Sequence, residues 1–400
     1  MRWILRFFVA LFVLTLFFGV FLSRSNVQVR PSISVKKHKL FNDYRGITHV
    51  VTKYSRGSGS PSDIIAAAAQ AQISFLYFTD LNDFDPLHEL SGYSQGVLVL
   101  PAKKISYLDS HLIFYGSKEL QHLDSLGTAN ALVTDQLQRP SHQENSILTL
   151  AHPFKKGFQW DEENSKGLNG VEVMNLRHMW QSVWLNKKAS FLWSLFLYIF
   201  NPDIALLRLI NEPSKELKFW DQLNQEHKTT GLLGNHTTGK IFHLGPISFA
   251  FPTYEQSFAF ASNHILLRSE LTGIRNRDTE KVFGALKRGN FYFAIDSLAD
   301  PKGFAAYIEQ GKSIHSMGEN INLDSNTQLK VDLPDIAKVP YEIKLFRNGR
   351  EIAISKKLNT QWKITEPGVY RVYARLRLKF PIPGELRWIP WIYTNNFYIK

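Results

Sequence analysis

The sequence of 400 residues contains no cysteine. This absence excludes disulfides, thiolate metal sites and cysteine nucleophiles, and it is compatible with either side of a membrane. The sequence also lacks a Lys/Arg-rich helix and an aromatic RNA-binding motif, so we expect no nucleic-acid partner despite the net charge of +12. A charge of this sign instead favours an anionic neighbour, such as a lipid surface, a polyanion or a phosphorylated small molecule.

The amino-terminal segment carries a long apolar run, residues 3–22, interrupted only by Arg6, Thr15 and Gly19. At about 1.5 Å per residue, a helix of this length spans roughly 30 Å, the thickness of the hydrocarbon core of a bilayer. The bulky residues at the end of the run, Phe21 and Leu22, do not suit signal-peptidase cleavage, so we predict an uncleaved anchor over residues 1–23 rather than a cleaved signal peptide. Basic residues flank the run on both sides. We expect a signal-anchor with the body outside the cytoplasm, on the periplasmic side.

Three further regions follow the anchor. Residues 24–42 are polar and basic and predict a linker, which could also lie on anionic headgroups. Over residues 43–300, short apolar strands alternate with helix-length stretches, which predicts an α/β fold with a parallel barrel. Residues 301–400 contain short strands and turns, including Asn348-Gly349 in a hairpin setting, and predict an Ig-like β-sandwich. One strand of this region has a basic face, which we interpret as solvent-exposed surface. The alternative is a docking face for a protein partner.

A long insertion, residues 180–225, interrupts the α/β region. Its apolar run at 190–200 is too short to span a bilayer. We interpret it as a buried helix; the alternative is a hydrophobic lid or an interfacial segment near the anchoring membrane. The pattern at 204–210 predicts a second packed helix.

The stretch 44–82 predicts a strand-loop-helix-strand unit, the building block of a parallel α/β fold. The predicted elements are a strand at 46–52, a loop at 56–60, a helix at 63–72 and a strand at 74–79, after which Asp80 follows. Polar residues stand at the carboxyl ends of both strands, where such folds place their functional sites.

This stretch resembles the opening of the PHP family, named for polymerase and histidinol phosphatase domains. The frame residues are Gly46, His49, Thr52, Tyr54, Ser55, Gly57, Thr79 and Asp80. The family's later motifs follow in order as Ala151-His152-Pro153, Gly170 to Asn175 and Gly234 to Thr238. The resemblance covers roughly residues 44–296. It implies a distorted (β/α)7 barrel of the metal-dependent phosphoesterase type.

Most of the family's metal ligands are replaced in this sequence. Val51 and Leu81 stand where histidines belong, Arg56 where an aspartate belongs, and Lys104 where a bridging glutamate belongs. At the last motif Thr238 replaces a histidine, and His236 replaces an aspartate. The resemblance therefore leaves four candidate metal ligands: His49, His111, His152 and His236.

Lys104 is the replacement with the largest consequence. At an effective dielectric near 20, an ammonium a few ångströms from a dication weakens metal binding by a free energy on the order of several kcal/mol. We therefore do not expect a trinuclear site. The open alternatives are one divalent metal (Zn, Mn or Fe) held by His111, His152 and a further histidine, or histidines that are hydrogen-bonded remnants of such a site.

The sequence favours a pocket that binds a phosphate-type anion without metal, using Arg56, Lys104, Asp80 and Glu172. We assign no catalytic residue, although acid/base chemistry by Asp80 with Asp83 and Asp85 is conceivable. The expected protein is a membrane-anchored, catalytically degenerate PHP-like homologue. One alternative is a hydrolase of phosphate esters with the four histidines as a reduced metal site. The other is a non-enzymatic scaffold that acts through residues 301–400.

Overall fold

The computed structural model describes residues 2–24, 40–82, 90–100, 102–116, 125–139, 145–158, 160, 162–244, 247–335, 339–381 and 384–400. Most of the predicted linker, together with Asp83 and Asp85, lies outside these residues.

The described helices are α1 (Arg2–Arg24), α2 (Pro61–Gln70), α3 (Leu126–Gln138), α4 (Leu176–Asn186), α5 (Lys188–Tyr198), α6 (Pro202–Arg208), α7 (Ser214–Glu226), α8 (Tyr254–Phe260) and α9 (Arg275–Arg288). The strands of the α/β region are β1 (Asn42–Val50), β2 (Phe75–Phe78), β3 (Gly92–Ser94), β4 (Val97–Leu100), β5 (Ala102–Tyr107), β6 (Ser110–Gly116), β7 (Ser146–Ala151), β8 (Gly170–Asn175), β9 (Thr230–Gly234), β10 (Ile241–Leu244), β11 (Ile247–Ala250), β12 (Ser262–Leu267) and β13 (Phe291–Ala294).

The strands of the carboxyl-terminal region are β14 (Ala305–Gln310), β15 (Ser313–His315), β16 (Asn320–Ile321), β17 (Gln328–Asp332), β18 (Tyr341–Arg347), β19 (Arg350–Ser355), β20 (Asn359–Lys363), β21 (Gly368–Pro381), β22 (Gly384–Thr394) and β23 (Phe397–Ile399).

The predicted strand-loop-helix-strand unit is present as β1, α2 and β2, with shifted boundaries. Helix α2 begins at Pro61 because Ser60 caps it: the Ser60 hydroxyl accepts a hydrogen bond from the Asp63 amide at 3.3 Å. Its buried face is apolar and packs under the strands. Strand β1 starts earlier than predicted, because residues 42–46 pair with β12, a contact that the local sequence does not announce.

Two sheets carry most of the described α/β region, and β10 and β11 form a separate two-stranded sheet. In the larger one the order is β16-β23-β21-β22-β13-β12-β1-β2-β4-β3, and the smaller one runs β5-β6-β7-β8-β9. The pairs β1–β2, β2–β4, β7–β8 and β8–β9 are parallel, whereas the flanking pairs are antiparallel. Isolated bridges at Val50–Thr237 and Leu81–Lys104 connect the two sheets. The mixed α/β class is confirmed, but this pairing does not establish a closed barrel.

The carboxyl-terminal region is built from strands in two sheets, which is suggestive of the predicted sandwich. One sheet is β15-β14-β17-β20, and the other strands belong to the larger sheet, which β22 joins to the body by pairing with β13. The predicted hairpin is confirmed: Asn348 and Gly349 connect β18 and β19 with φ of 49° and 77°. On the basic face of β21, Arg375 donates hydrogen bonds to Glu342. The use of this face for docking stays a prediction.

Helix α1 contains the predicted apolar run. Its residues 2–21 have a mean hydropathy of 2.5 and are almost entirely exposed, which suits a membrane anchor or a signal sequence. Near its end, the Phe18 ring lies 6.0 Å from Trp193 and 6.3 Å from Phe196, between ring centroids. A Cβ atom added at Gly19 would lie 2.2 Å from the Phe200 ring, so α1 closely approaches the end of α5.

The insertion forms helices α4 to α7. Helix α6 is buried over most of its length, which confirms the second packed helix. Helix α5 is buried only at Ser194 and Leu197, whereas Leu192 is 54% exposed. The run at 190–200 therefore lies in a half-buried helix, because the described part of the chain covers only one of its faces.

Candidate functional site

Strand ends bring the predicted histidines together. His49 lies near the end of β1, His152 follows β7, and His236 lies two residues after β9. His111 lies in β6, beside the end of β7. Both His152 and His236 have left-handed backbones, with φ of 39° and 49°. This conformation costs a non-glycine residue about 1–2 kcal/mol, and such strain concentrates at functional sites.

A buried hydrogen-bonded chain joins Lys104, His49 and Glu172. The Lys104 ammonium Nζ lies 3.1 Å from His49 Nε2. His49 Nδ1 lies 2.6 Å from Glu172 Oε1. A protonated lysine can only donate and a carboxylate can only accept. The His49 ring therefore accepts from Lys104 at Nε2 and donates its Nδ1–H to Glu172.

The pKa shifts follow from burial. Burial, opposed by attraction to Glu172 and reinforced by repulsion from Lys104, lowers the pKa of His49 to about 4, so its ring is neutral at physiological pH. Burial, only partly offset by attraction to Glu172, lowers the pKa of Lys104 to about 7. Near neutral pH the lysine is therefore present in both its charged and its neutral form.

The Glu172 carboxylate is fully engaged by protein donors. In addition to His49, its Oε2 accepts from the His152 amide at 3.0 Å and from Asn175 Nδ2 at 2.7 Å. Burial alone would raise the pKa of Glu172, but His49 and Asn175 bring it below its usual value, so the group is ionised. Gly234 makes room for it, since a Cβ there would lie 2.0 Å from Glu172 Oε1.

The other three histidines are neutral as well. Burial, followed by repulsion from Lys104, lowers the pKa of His111 to about 3 and the pKa values of His152 and His236 well below the usual range. His111 Nδ1 lies 3.2 Å from His152 Nε2. The His236 ring stacks on His49, with centroids 4.1 Å apart and planes at 14°.

With Lys104 hydrogen-bonded to His49, this arrangement does not fit a metal centre. Among the described residues, no group of three or more His, Cys, Asp or Glu side chains is placed to hold a metal ion. The Nε2 lone pair of His49 faces an ammonium. Nearly parallel rings, as in His49 and His236, direct their in-plane nitrogens side by side rather than towards one point. The four histidines are brought together, but their assignment as ligands stays a prediction.

Cationic side chains surround a small cavity at this position. Its volume is about 40 Å³, several times the roughly 10–15 Å³ that one water needs. It is lined by Val51, Ser55, Arg56, Thr79, Leu81, Lys104, His111, Lys155, Arg177 and His236. Arg56 and Lys104 were predicted from the sequence, whereas Lys155 and Arg177 were missed.

A signal for the two missed cations exists in the sequence. Lys155 stands three residues after His152 of the Ala-His-Pro motif, and Arg177 stands two residues after Asn175. Burial, followed by repulsion from Arg177 and Arg56, lowers the pKa of Lys155 to about 8. Burial and Arg56 also lower the pKa of Arg177. These groups therefore repel one another across the cavity.

Asp80 holds the neighbouring loop in place. Its Oδ1 accepts from the Thr52 amide at 2.9 Å and from the Ser55 hydroxyl at 2.7 Å. Burial raises the pKa of Asp80, and these hydrogen bonds oppose that shift. Because Ser55 precedes Arg56, Asp80 fixes the loop that carries one of the cavity's cations.

Comparisons with known proteins add distant structural neighbours. No family model matches the chain, and no curated protein matches it. A two-domain protein from Bacteroides vulgatus, described as containing a predicted PHP-like metal-dependent phosphoesterase, is 10% identical, with a TM-score of 0.37 over 91% of this chain and 99% of that chain. A protein from Bifidobacterium adolescentis described as a metal-dependent phosphoesterase is 12% identical, with a TM-score of 0.29 over 50% and 90%. An amidohydrolase from Chromobacterium violaceum, with bound sulfate and no metal, is 12% identical, with a TM-score of 0.30 over 50% and 92%.

These structural neighbours thus include one protein described as PHP-like and two described as metal-dependent phosphoesterases. At TM-scores of 0.37 or less, this likeness is too distant to assign an activity.

The charges of the site indicate what it can do chemically. Four cationic side chains line the cavity, and the buried carboxylate of Glu172 already accepts from His49, His152 and Asn175. At an effective dielectric of about 20, two like charges 4 Å apart repel by about 4 kcal/mol. An anion in the cavity would relieve this repulsion.

Proposed function

We propose that this protein binds a small phosphate-type dianion in the cavity beside Lys104, without hydrolysing it, while α1 tethers it to a membrane. In this proposal, the part of the chain that follows α1 lies on the periplasmic side of the membrane. The observation that carries the proposal is the position of the Lys104 ammonium, 3.1 Å from His49 Nε2. The nitrogen that would bind a metal instead accepts a hydrogen bond from a cation.

The surrounding cations support anion binding. Lys104 and Lys155 have lowered pKa values because they are desolvated and face further positive charge. A dianion would supply the missing negative charge and favour the protonated form of both lysines. Arg56 and Arg177 add guanidinium donors that suit the geometry of a phosphate.

The same contacts speak against hydrolysis by acid/base groups of the chain. A general base near neutral pH needs a pKa close to that pH. The pKa values of the four histidines lie far below it, and Glu172 is ionised but already accepts three hydrogen bonds. Lys104 has a suitable pKa, but a bound dianion favours its protonated form, which has no lone pair to act as a base.

A metal-dependent phosphoesterase is the second candidate. Within the described residues, the buried Nδ1 of His152 has no hydrogen-bond partner, and its lone pair could instead coordinate a divalent ion. This candidate requires Lys104 to turn away from His49 when the metal binds. Stoichiometric Zn, Mn or Fe and an aryl-phosphatase activity that His152→Ala abolishes would favour it over the first candidate.

A sulfate titration tests the proposal. Full-length protein is unfolded thermally in sulfate or in chloride of equal ionic strength, since sulfate keeps two charges over the useful pH range. At a sulfate concentration of about 100 times Kd, we expect about 2.7 kcal/mol of stabilisation. Lys104→Met should remove this stabilisation.

Lys103→Met is the matched control. Lys103 is the preceding residue of β5 and is also buried, but strand alternation places it on the opposite face. It should retain the response to sulfate. An equal response in the Lys104→Met variant, or no response in the native chain, would refute the proposal.

A further inference from the structure

An apolar groove lies next to the cationic cavity. Its volume is about 540 Å³, within the range of about 300–1,000 Å³ for small-molecule pockets. One wall comes from α4 and α5, with Trp180, Trp184, Phe191 and Leu192, and Phe242 lies at its edge. Three of these side chains, Trp184, Leu192 and Phe242, are also exposed to solvent.

The groove and the cavity share two residues. Arg177 and His236 line both of them. Arg177 lies in the first turn of α4, so the helix that builds the apolar wall also carries a cation of the cavity. A ligand that occupies both spaces must therefore have an anionic end and an apolar end.

The groove also lies close to the predicted membrane anchor. Helix α5 supplies Phe191, Leu192 and Leu195 to the groove. The same helix contacts the end of α1, through Trp193 and Phe196 against Phe18. A hydrocarbon chain that leaves the bilayer beside α1 would thus meet the apolar face of α5 first.

We propose that the ligand is a membrane lipid with a phosphate headgroup, whose phosphate binds beside Arg177 while a hydrocarbon chain lies along the groove between α4 and α5. This inference rests on the proposed anion binding and names its ligand class. Such a lipid accounts for an apolar groove that shares Arg177 and His236 with a cationic cavity. It also accounts for the aromatic character of the insertion, which needs an apolar partner on the side that the described residues leave uncovered.

A series of alkyl phosphates tests this inference. Inorganic phosphate, butyl phosphate and hexyl phosphate are titrated into the full-length protein in phosphatidylcholine nanodiscs, and binding is followed by tryptophan fluorescence. Each methylene that enters the groove should tighten binding about fourfold, so hexyl phosphate should bind about 15-fold more tightly than butyl phosphate.

Two groove variants locate the chain. In Leu192→Asn and in Phe242→Ser, hexyl phosphate should bind no more tightly than inorganic phosphate. Leu386→Asn is the matched control, because Leu386 is 53% exposed against 54% for Leu192 and lies in β22. This control should retain the full dependence on chain length.

The outcomes separate the two proposals. If inorganic phosphate binds and chain length has no effect, the lipid inference fails while anion binding stands. If chain length matters equally in all three variants, the chain binds outside the groove and the inference also fails. If neither inorganic phosphate nor its esters bind, both proposals are refuted.

Discussion

Replacing Lys104 by methionine should make this protein more stable near neutral pH. The folded protein lowers the pKa of Lys104 from 10.5 to about 7, so it disfavours the buried ammonium by about 5 kcal/mol. Methionine has a similar length and carries no charge. The substitution also removes the donor to the buried His49 Nε2, and an unsatisfied buried acceptor costs about 1–3 kcal/mol. The net gain in the free energy of unfolding is therefore about 2–4 kcal/mol.

The pH dependence of this gain identifies its cause. Because the folded pKa lies below the unfolded value, the unfolded chain binds more protons at Lys104 between pH 7 and 10.5. The stability of the native protein is therefore lowered most below pH 7 and recovers as the pH rises through this window. The advantage of the variant should be largest at and below pH 7 and absent by pH 10.

Urea unfolding measures the effect directly. Full-length native protein and variant are compared at pH 7 and pH 10 in chloride buffer without phosphate or sulfate, with tryptophan fluorescence as the signal. Other titrating groups, such as His264, are common to both proteins and cancel in the difference. A variant that is less stable at pH 7, or a difference that does not change with pH, would refute the reasoning.

Three further predictions concern the support of the site. Burial would lower the pKa of His264, but Asp43 and Asp296 outweigh it and raise this pKa to about 9. His264→Gln should therefore lose about 3 kcal/mol of stability below pH 6.5, measured by urea unfolding. This loss should fade as the pH rises through 9. Gly234→Ala should displace Glu172 and abolish the sulfate response, whereas Gly127→Ala, whose Cβ would make only an ordinary contact of 3.7 Å with Ser125 Oγ, should retain it. Arg371 donates two hydrogen bonds to Asp221, at 2.9 and 2.8 Å. Arg371→Met should therefore lower the free energy of unfolding by about 3–5 kcal/mol, measured in urea. A decrease below about 1 kcal/mol would contradict this prediction.

The local sequence predicted those strands and turns whose ends are set by residues close by in the chain. Asn348-Gly349 supplies two left-handed residues and sets the hairpin between β18 and β19. The apolar runs at 146–150 and 170–174 predict two strands, and β7 and β8 each extend one residue beyond them, since polar and glycine residues flank these compact runs. The pairing of β13 with β22 joins Tyr292 to Thr394 and depends on contacts about a hundred residues apart, which no local pattern records.

The site could be predicted only in part, because some of its contacts also join distant parts of the chain. Motif order located His49, His152 and His236 at strand ends, and the structure brings them together. The contact between Lys104 and His49 depends on how two side chains from different sheets orient, which the sequence does not specify. Lys155 and Arg177 lie just beyond the motifs, in the turn after β7 and the first turn of α4, so attention to motif positions alone missed them.

Metal-independent anion binding is the central claim, and calorimetric titration of sulfate into chelator-treated full-length protein tests it most directly. One sulfate should bind per chain, and it should bind more tightly at pH 6.5 than at pH 8.5, because the anion favours protonated Lys104, whose pKa is about 7. Binding should persist without divalent metal and be lost in Lys104→Met. The absence of binding in the treated native protein, or its appearance only after Zn, Mn or Fe is added, would contradict the claim.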